Sequence, residues 1–423
     1  MSDLQPAPGA VRSEVEGLLT SLVSPAGRAN PYPVYAALRE VAPVYVGTAV
    51  AYLTRYDDCQ AIIRNPALGA QSPAWMDTVR PGWRDHPGLR ATHESFVFRD
   101  PPDHGRLRRH VSGEFSQSKV RLLTDYIAGV TADVLDLIST AGSDGGVVDL
   151  HEILATTLPI RVISKILGVP QADHPTLREP LEGLRLAADG SPADHLPVID
   201  RAGEFLLSYF ADLVRQRRKA PRDDLTSALA RIRDTGGNGA EGAGQDDRVL
   251  TEEELLQTLT LIFSAAIESM ADLLLNGTAA LIDFPGQAAA LRADPGLAAG
   301  AVEEALRYDA PVQAIGRIAT PDFSVAGMPI PDGALILGFL GAGNRDPRRY
   351  SDPDTFDITR TGPTSLSLSG GAHFCLGAAL ARLEAAVFFP ALVARFPELR
   401  YAAPPVRRGF ALRGFASFPV TVR

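Results

Sequence analysis

Thr251 and the glutamates at 252, 253 and 254 open a stretch that is apolar around most of a helix and does not stop until Pro285. A Thr followed three residues later by Glu is a capping box: hydroxyl and carboxylate each satisfy a backbone N–H left orphaned at a helix start. The interval of about 33 residues predicts a helix some 50 Å long, enough to cross an entire domain. Leu255, Leu259, Ile262, Ala266, Met270 and Leu273 form one stripe, and Leu256, Phe263, Ile267 and Leu274 another. Such a helix belongs at the centre of a fold, with the rest of the chain packed around it. Glu268 and Ser269 sit in its middle, and a buried carboxylate is costly unless paired or hydrated. Glu268 is therefore expected either to meet an arginine or a solvated groove, or to do chemistry.

The other apolar periodicities are also helical: 30–41, 118–140, 151–167 and 198–219 repeat at three and four. Strand signals are short, at 43–54, 323–339 and 415–423, with Gly327, Pro331 and Gly333 as turns. The Gly-rich segment 234–248 is too polar to pack and is expected to be mobile. Residues 1–25, rich in Pro, Gly, Ser and Ala, read as a flexible tail. Residues 26–423 read as a single domain, since no linker has flanks that would fold alone. At 423 residues, length alone would suggest more than two domains.

Net charge is -9, without the basic footprint of a nucleic-acid binder. The first residues lack a signal-peptide pattern, and no run of about 18 apolar residues goes unbroken. The expectation is a cytoplasmic protein with no membrane and no nucleic-acid partner. Two cysteines rule out a disulfide scaffold and a cysteine-only zinc site.

The two cysteines differ. Cys59 has no glycines around it and reads as packing. Gly371, His373, Cys375 and Gly377 occupy alternate positions leading into a helix. A cysteine there has its thiolate favoured by the helix dipole and free N–H groups, and can ligate a metal.

This segment resembles the cysteine motif of the cytochrome P-450 haem-thiolate enzymes, F-G-x-G-x-H-x-C-x-G, with Leu368 replacing the usual Phe and Ser369 the usual Gly. Glu304 and Arg307 match the family's E-x-x-R, and 344–347 with Pro353, Phe356, Asp357 and Arg360 match its meander, with Arg360 a third member of that ion pair. Asp100, Pro101, Pro102, His104 and Arg108 match the helix entry whose His and Arg bind a haem propionate, and Arg317 resembles a further propionate arginine. Residues 265–270 occupy the oxygen-activation site, with the acid kept, Ser269 for Thr and Ala266 for Gly.

The resemblance implies a mainly α fold with a smaller β region (α+β), with haem between the long helix and the cysteine helix. It implies haem b (iron protoporphyrin IX) ligated through Cys375, with His104, Arg108, Arg317, His373 and Gly377 around the cofactor and Glu268 and Ser269 catalytic. The implied reaction is monooxygenation with O2, electrons coming from a ferredoxin and its NAD(P)H-dependent reductase. Arg106, Arg108, Arg109 and Arg382 would offer that donor a positive face. Phe263, Ala265, Ala266, Ala314 and Ile315, with residues 74–98, 180–205 and 410–415, would line a pocket for a bulky, largely apolar small-molecule substrate, in keeping with secondary metabolism. Two alternatives remain open. The departures at Leu368, Ser369 and Ala266 would suit peroxide-driven oxidation, coupling or rearrangement, and the other is a non-catalytic haem-binding partner protein.

Overall fold

The computed structural model describes residues 9–189, 193–234, 250–362 and 364–422. In chain order the elements that position the site are α1 (Gly9–Leu22), α2 (Tyr32–Val41), β1 (Val44–Val46), β2 (Val50–Leu53), α3 (Asp103–Ser112), α4 (Leu158–Leu167), α5 (His174–Ala188), α6 (Leu196–Lys219), α7 (Glu252–Asp283), α8 (Ala298–Tyr308), β3 (Ala314–Ile318), β4 (Leu335–Phe339), α9 (Ala378–Arg395), β5 (Val406–Arg408) and β6 (Gly414–Ser417). The fold is mainly helical with small sheets.

α7 runs for 32 residues. Thr251 Oγ1 accepts from the Glu254 N–H at 3.1 Å and Glu254 Oε2 from the Thr251 N–H at 2.9 Å, so both halves of the capping box form. Thr251→Ala is expected to cost about 1 kcal/mol, read as a lower urea midpoint at unchanged slope. α7 is long and apolar enough to cross a membrane, but 72% of its most apolar window is buried inside the protein, as befits a core helix. It packs on α4, α6, α8 and α9. At Gly277 the helices approach so closely that a Cβ would lie 2.3 Å from the Phe389 ring and 3.2 Å from Ala305 Cβ. No larger residue fits there without moving α9.

A four-stranded sheet of order β1-β2-β4-β3 lies to one side. β2 and β4 are parallel, with Val50 opposite Leu335, while β3 runs antiparallel to β4, with Ala314 opposite Phe339. β5 and β6 form a separate antiparallel pair, with Gly414 opposite Arg408. The single run expected at 415–423 divides at Phe418 between β6 and a strand at Pro419–Thr421 in another sheet.

The N-terminal expectation needs correction. Residues 9–22 form a helix, and Val15 and Leu22 are fully buried against Tyr35 and Leu38 of α2 and Tyr45 of β1. Val11, Val15, Leu18 and Leu22 recur at three and four, and that spacing outweighs the Pro- and Gly-rich composition that suggested a tail. Most of the Gly-rich segment 234–248 lies outside the described residues.

Candidate active site

The cysteine turn is built backbone first. The Cys375 N–H donates to the Leu368 carbonyl at 2.9 Å, closing the loop just ahead of α9. Gly371, at φ +60°, lies where a Cβ would come 3.1 Å from the Ile63 carbonyl. Ser369 is also left-handed, at φ 59°. A non-glycine residue there is strained by about 1 kcal/mol, which accounts for the glycine expected at this place. Its hydroxyl has no hydrogen-bond partner among the described residues, so the substitution adds strain without a compensating bond.

Burial pushes the Cys375 thiol up, while the Gly377 N–H, Arg108 and Arg382 favour the thiolate. Such a sulfur is suited to a metal, which supplies the charge that burial denies it. Cys59 is fully buried, its Sγ 3.6 Å from the Leu53 carbonyl and 3.7 Å from that of Phe339.

The His104 and His373 rings lie 4.1 Å apart. Burial, then Arg317, pushes His373 down to about 3; burial, then Arg108 and Arg317, lowers His104. His104 Nε2, His373 Nδ1 and Arg317 Nη2 are buried and lack partners among the described residues. Two neutral imidazoles beside two arginines, with donors left over, make a receptor for carboxylates. This donor set, with the Cys375 sulfur, fits the propionates and iron of a haem.

Glu304 and Arg307 form a bidentate pair on α8, 2.8 Å at both contacts. Arg360 Nε joins them at 3.1 Å from Glu304 Oε1, and the Asp357 N–H donates to the same oxygen at 2.8 Å.

On α7, the Ser269 hydroxyl donates to the Ala265 carbonyl at 2.6 Å, leaving its oxygen free to accept. Glu268 points elsewhere: Oε2 accepts from Arg408 Nη2 at 3.0 Å, and Arg185 Nε is 3.4 Å away. Burial foremost, then Glu182 and Asp272, pushes Glu268 up to about 7 against the pull of the two arginines. Glu268 and Glu182 also line a cavity of about 400 Å³ with His174, Arg178 and Thr156. Sequence reasoning missed Arg185, Arg408, Glu182 and Asp272. Asp272 carried a signal, since it lies four residues after Glu268 on the same helix face.

Two expectations change. Phe263 is fully buried and meets Phe210 of α6 edge-on at 5.6 Å, on the opposite side of α7 from exposed Ala265, so it belongs to the core and not to a pocket wall. Ala266, Ala314 and Ile315 are partly buried. Of the arginines expected to face a donor, Arg106 is ion-paired with Asp103 and Glu254, and Arg382 with Glu303. Arg109 is exposed, and Arg108 Nη2 donates to the Phe374 carbonyl at 2.5 Å.

Comparison with known proteins places this geometry. The family model described as cytochrome P450 matches residues 296–400. The chain is 34% identical to 6-deoxyerythronolide B hydroxylase of Saccharopolyspora erythraea over 411 residues, covering 92% of this chain and 95% of that protein. It is 34% identical to cytochrome P450 monooxygenase PikC of Streptomyces venezuelae, covering 93% of this chain and 92% of the other. Among solved structures, P450BioI in complex with an acyl carrier protein ligated to hexadec-9Z-enoic acid superposes with a TM-score of 0.84 at 30% identity, over 94% of this chain and all of that one. Relatives matched along nearly their whole length, the cysteine turn and its carboxylate receptor together establish that this chain belongs to the cytochrome P450 monooxygenase family.

Proposed function

We propose that the protein is a cytoplasmic monooxygenase of secondary metabolism that inserts one oxygen atom into a bulky, largely apolar organic molecule, taking electrons from a separate ferredoxin and its NAD(P)H-dependent reductase. The observation that carries this reading is Cys375 at the glycine-rich turn before α9, beside a carboxylate receptor of His104, His373 and Arg317 left unpartnered among the described residues, with an acid and an alcohol adjacent in sequence on α7. The substrate class rests on the apolar Ala265, Ala266, Ala314 and Ile315, and on a relative named for hydroxylating 6-deoxyerythronolide B.

Haem b, when bound, supplies the activation of O2. Cys375 would hold it by the sulfur, and His104, Arg108, Arg317 and His373 by its carboxylates. Ser269, its proton committed to the Ala265 carbonyl, presents an oxygen that accepts a hydrogen bond and so orders water or an oxygen-bound proton in the pocket. Glu268, poised near neutral pH, alternates between holding a proton as the free acid and releasing it as the carboxylate paired with Arg408.

With a ferredoxin, its reductase and NAD(P)H, a panel of bulky, largely apolar compounds that includes 6-deoxyerythronolide B is expected to yield a product carrying one added oxygen, and none when the reductase is omitted. Equal turnover with hydrogen peroxide alone would overturn the reading in favour of a peroxide-driven enzyme.

A further inference from the structure

One turn beyond Glu268 on α7, Asp272 is completely enclosed, and neither of its oxygens accepts a hydrogen bond among the described residues. Its Oδ1 lies 3.8 Å from Arg408 Nη2 and its Oδ2 3.9 Å from Arg185 Nη2. These separations are too long for hydrogen bonds but short enough for strong attraction. The two guanidinium groups are the ones that hold Glu268, and the Nη2 of Arg408 that lies near Asp272 is the nitrogen that donates to Glu268. Arg408 Nη1 also pairs with Glu182 and Arg185 Nη2 also donates to the Leu412 carbonyl, while the Nε of each guanidinium makes no hydrogen bond among the described residues.

The surroundings are shaped to keep this carboxylate. Gly414 of β6 faces it so closely that a Cβ would fall 1.6 Å from Asp272 Oδ1. On the short helix Leu150–Leu154, His151 is buried with both ring nitrogens unpartnered among the described residues. Burial and Arg408 push its pKa down, so it brings no competing charge. Arg407, on the same strand as Arg408, adds a weaker pull on Asp272. A buried carboxylate that makes no hydrogen bond is an expensive way to fill space, and an apolar residue of similar size would be more stable. Its role lies in what it does to its neighbours.

We infer that Asp272 is a positioning residue for Glu268: by sharing Arg185 and Arg408 it divides two guanidinium groups between two buried carboxylates, and so keeps Glu268 from being locked into a closed ion pair. The inference rests on the reading of Glu268 as the acid that carries protons. The balance of charge agrees with it. Burial first, then Glu182, pushes Asp272 up to about 6 against Arg408, Arg185 and Arg407, and the presence of Asp272 is among the influences raising Glu268. A like charge one helical turn away disfavours ionisation, so Asp272 helps hold Glu268 toward its protonated form. Glu268 lines a cavity of about 400 Å³ together with Arg178, His174 and Glu182, which is roomy enough for water beside the acid.

The test is an infrared titration of the protonated-carboxyl stretch in the holoenzyme, from about pH 5 to about pH 9, a range that brackets both groups. Glu268→Gln and Asp272→Asn each remove one titrating band and so assign the pair. In Asp272→Asn the Glu268 midpoint is expected to fall by about one pH unit, because the two arginines then face one carboxylate fewer. Turnover at neutral pH should drop roughly tenfold through kcat with KM unchanged, its high-pH limb moving down with the band, and Asp272→Glu should restore both. If Asp272→Asn does not fold, Arg408→Gln decides: removing a shared cation should raise the Asp272 and Glu268 midpoints together by about one unit each, and an Asp272 midpoint that stays in place while that of Glu268 rises overturns the sharing. A Glu268 midpoint unmoved in the folded variants overturns the inference. A midpoint that moves while the pH profile of turnover stays fixed supports the coupling and instead overturns the proton-carrying role of Glu268.

Discussion

Carbon monoxide added to the reduced wild-type protein is expected to give the red-shifted absorption of thiolate-ligated haem, and Cys375→Ala is expected to abolish that band and bring turnover down to background. The band reports electron density pushed from sulfur onto iron, so it disappears with the sulfur even where some haem stays bound through its carboxylates. Cys375 is the thiol placed for this role: burial raises its pKa, but the Gly377 N–H, Arg108 and Arg382 oppose that rise and would support an anionic sulfur on a metal. Cys59 is not so placed, since burial and Asp58 push its thiol up and its Sγ faces two backbone carbonyls. Cys59→Ala is the control and should leave the band intact. A band that survives in Cys375→Ala would place the ligand elsewhere and remove the basis for the proposed reaction.

Arg307→Ala is expected to be the most destabilising single change away from the cofactor. Every N–H direction of this guanidinium is used: Glu304 takes two bonds at 2.8 Å, and the carbonyls of Asn344, Pro353 and Thr355 accept at 3.0, 2.8 and 2.9 Å. Truncation would strand the carbonyls of Asn344 and Pro353, Thr355 keeping its bond from Arg360, and leave Glu304, itself 3% exposed, with Arg360 as its remaining ion-pair partner among the described residues. Breaking a buried pair on one side costs about 3–5 kcal/mol, set against a whole-domain stability of about 5–15 kcal/mol. Purified Arg307→Ala should therefore show a much lower urea midpoint by circular dichroism and lose haem in the same transition. Arg307→Lys keeps the charge but not the fork, and is expected to recover only a minor part of the loss. An unchanged midpoint in Arg307→Ala would mean that the meander 344–360 is held by something other than this network.

The features legible in the sequence share a property: their partners are close in the chain. The capping box at Thr251 and Glu254, the Glu304–Arg307 pair and the turn around Cys375 are all set within one helical turn or one loop. Where the same local logic was overlooked, the reading failed. The spacing of Val11, Val15, Leu18 and Leu22 marks α1 as clearly as it marks the other helices, and it prevails over a Pro- and Gly-rich composition. Phe263 failed for a different reason. Periodicity fixed which face of α7 it lies on, but not that α6 would bring Phe210 against that face.

Helix geometry and backbone caps act over three or four residues, so the long central helix, the cysteine turn and the adjacent acid and alcohol at Glu268 and Ser269 are readable from local spacing. What Glu268 meets is set by tertiary packing. Its arginines come from α5 and β5, far from it in the chain and from each other, and no spacing rule relates residues that meet only when helices and sheets pack. Packing also enclosed Asp272 beside the same arginines, opposite Gly414, and thereby set the charge balance on which the proton affinity of Glu268 depends. The identity of an acid is local, whereas its pKa is a property of everything the fold brings within a few ångströms of it.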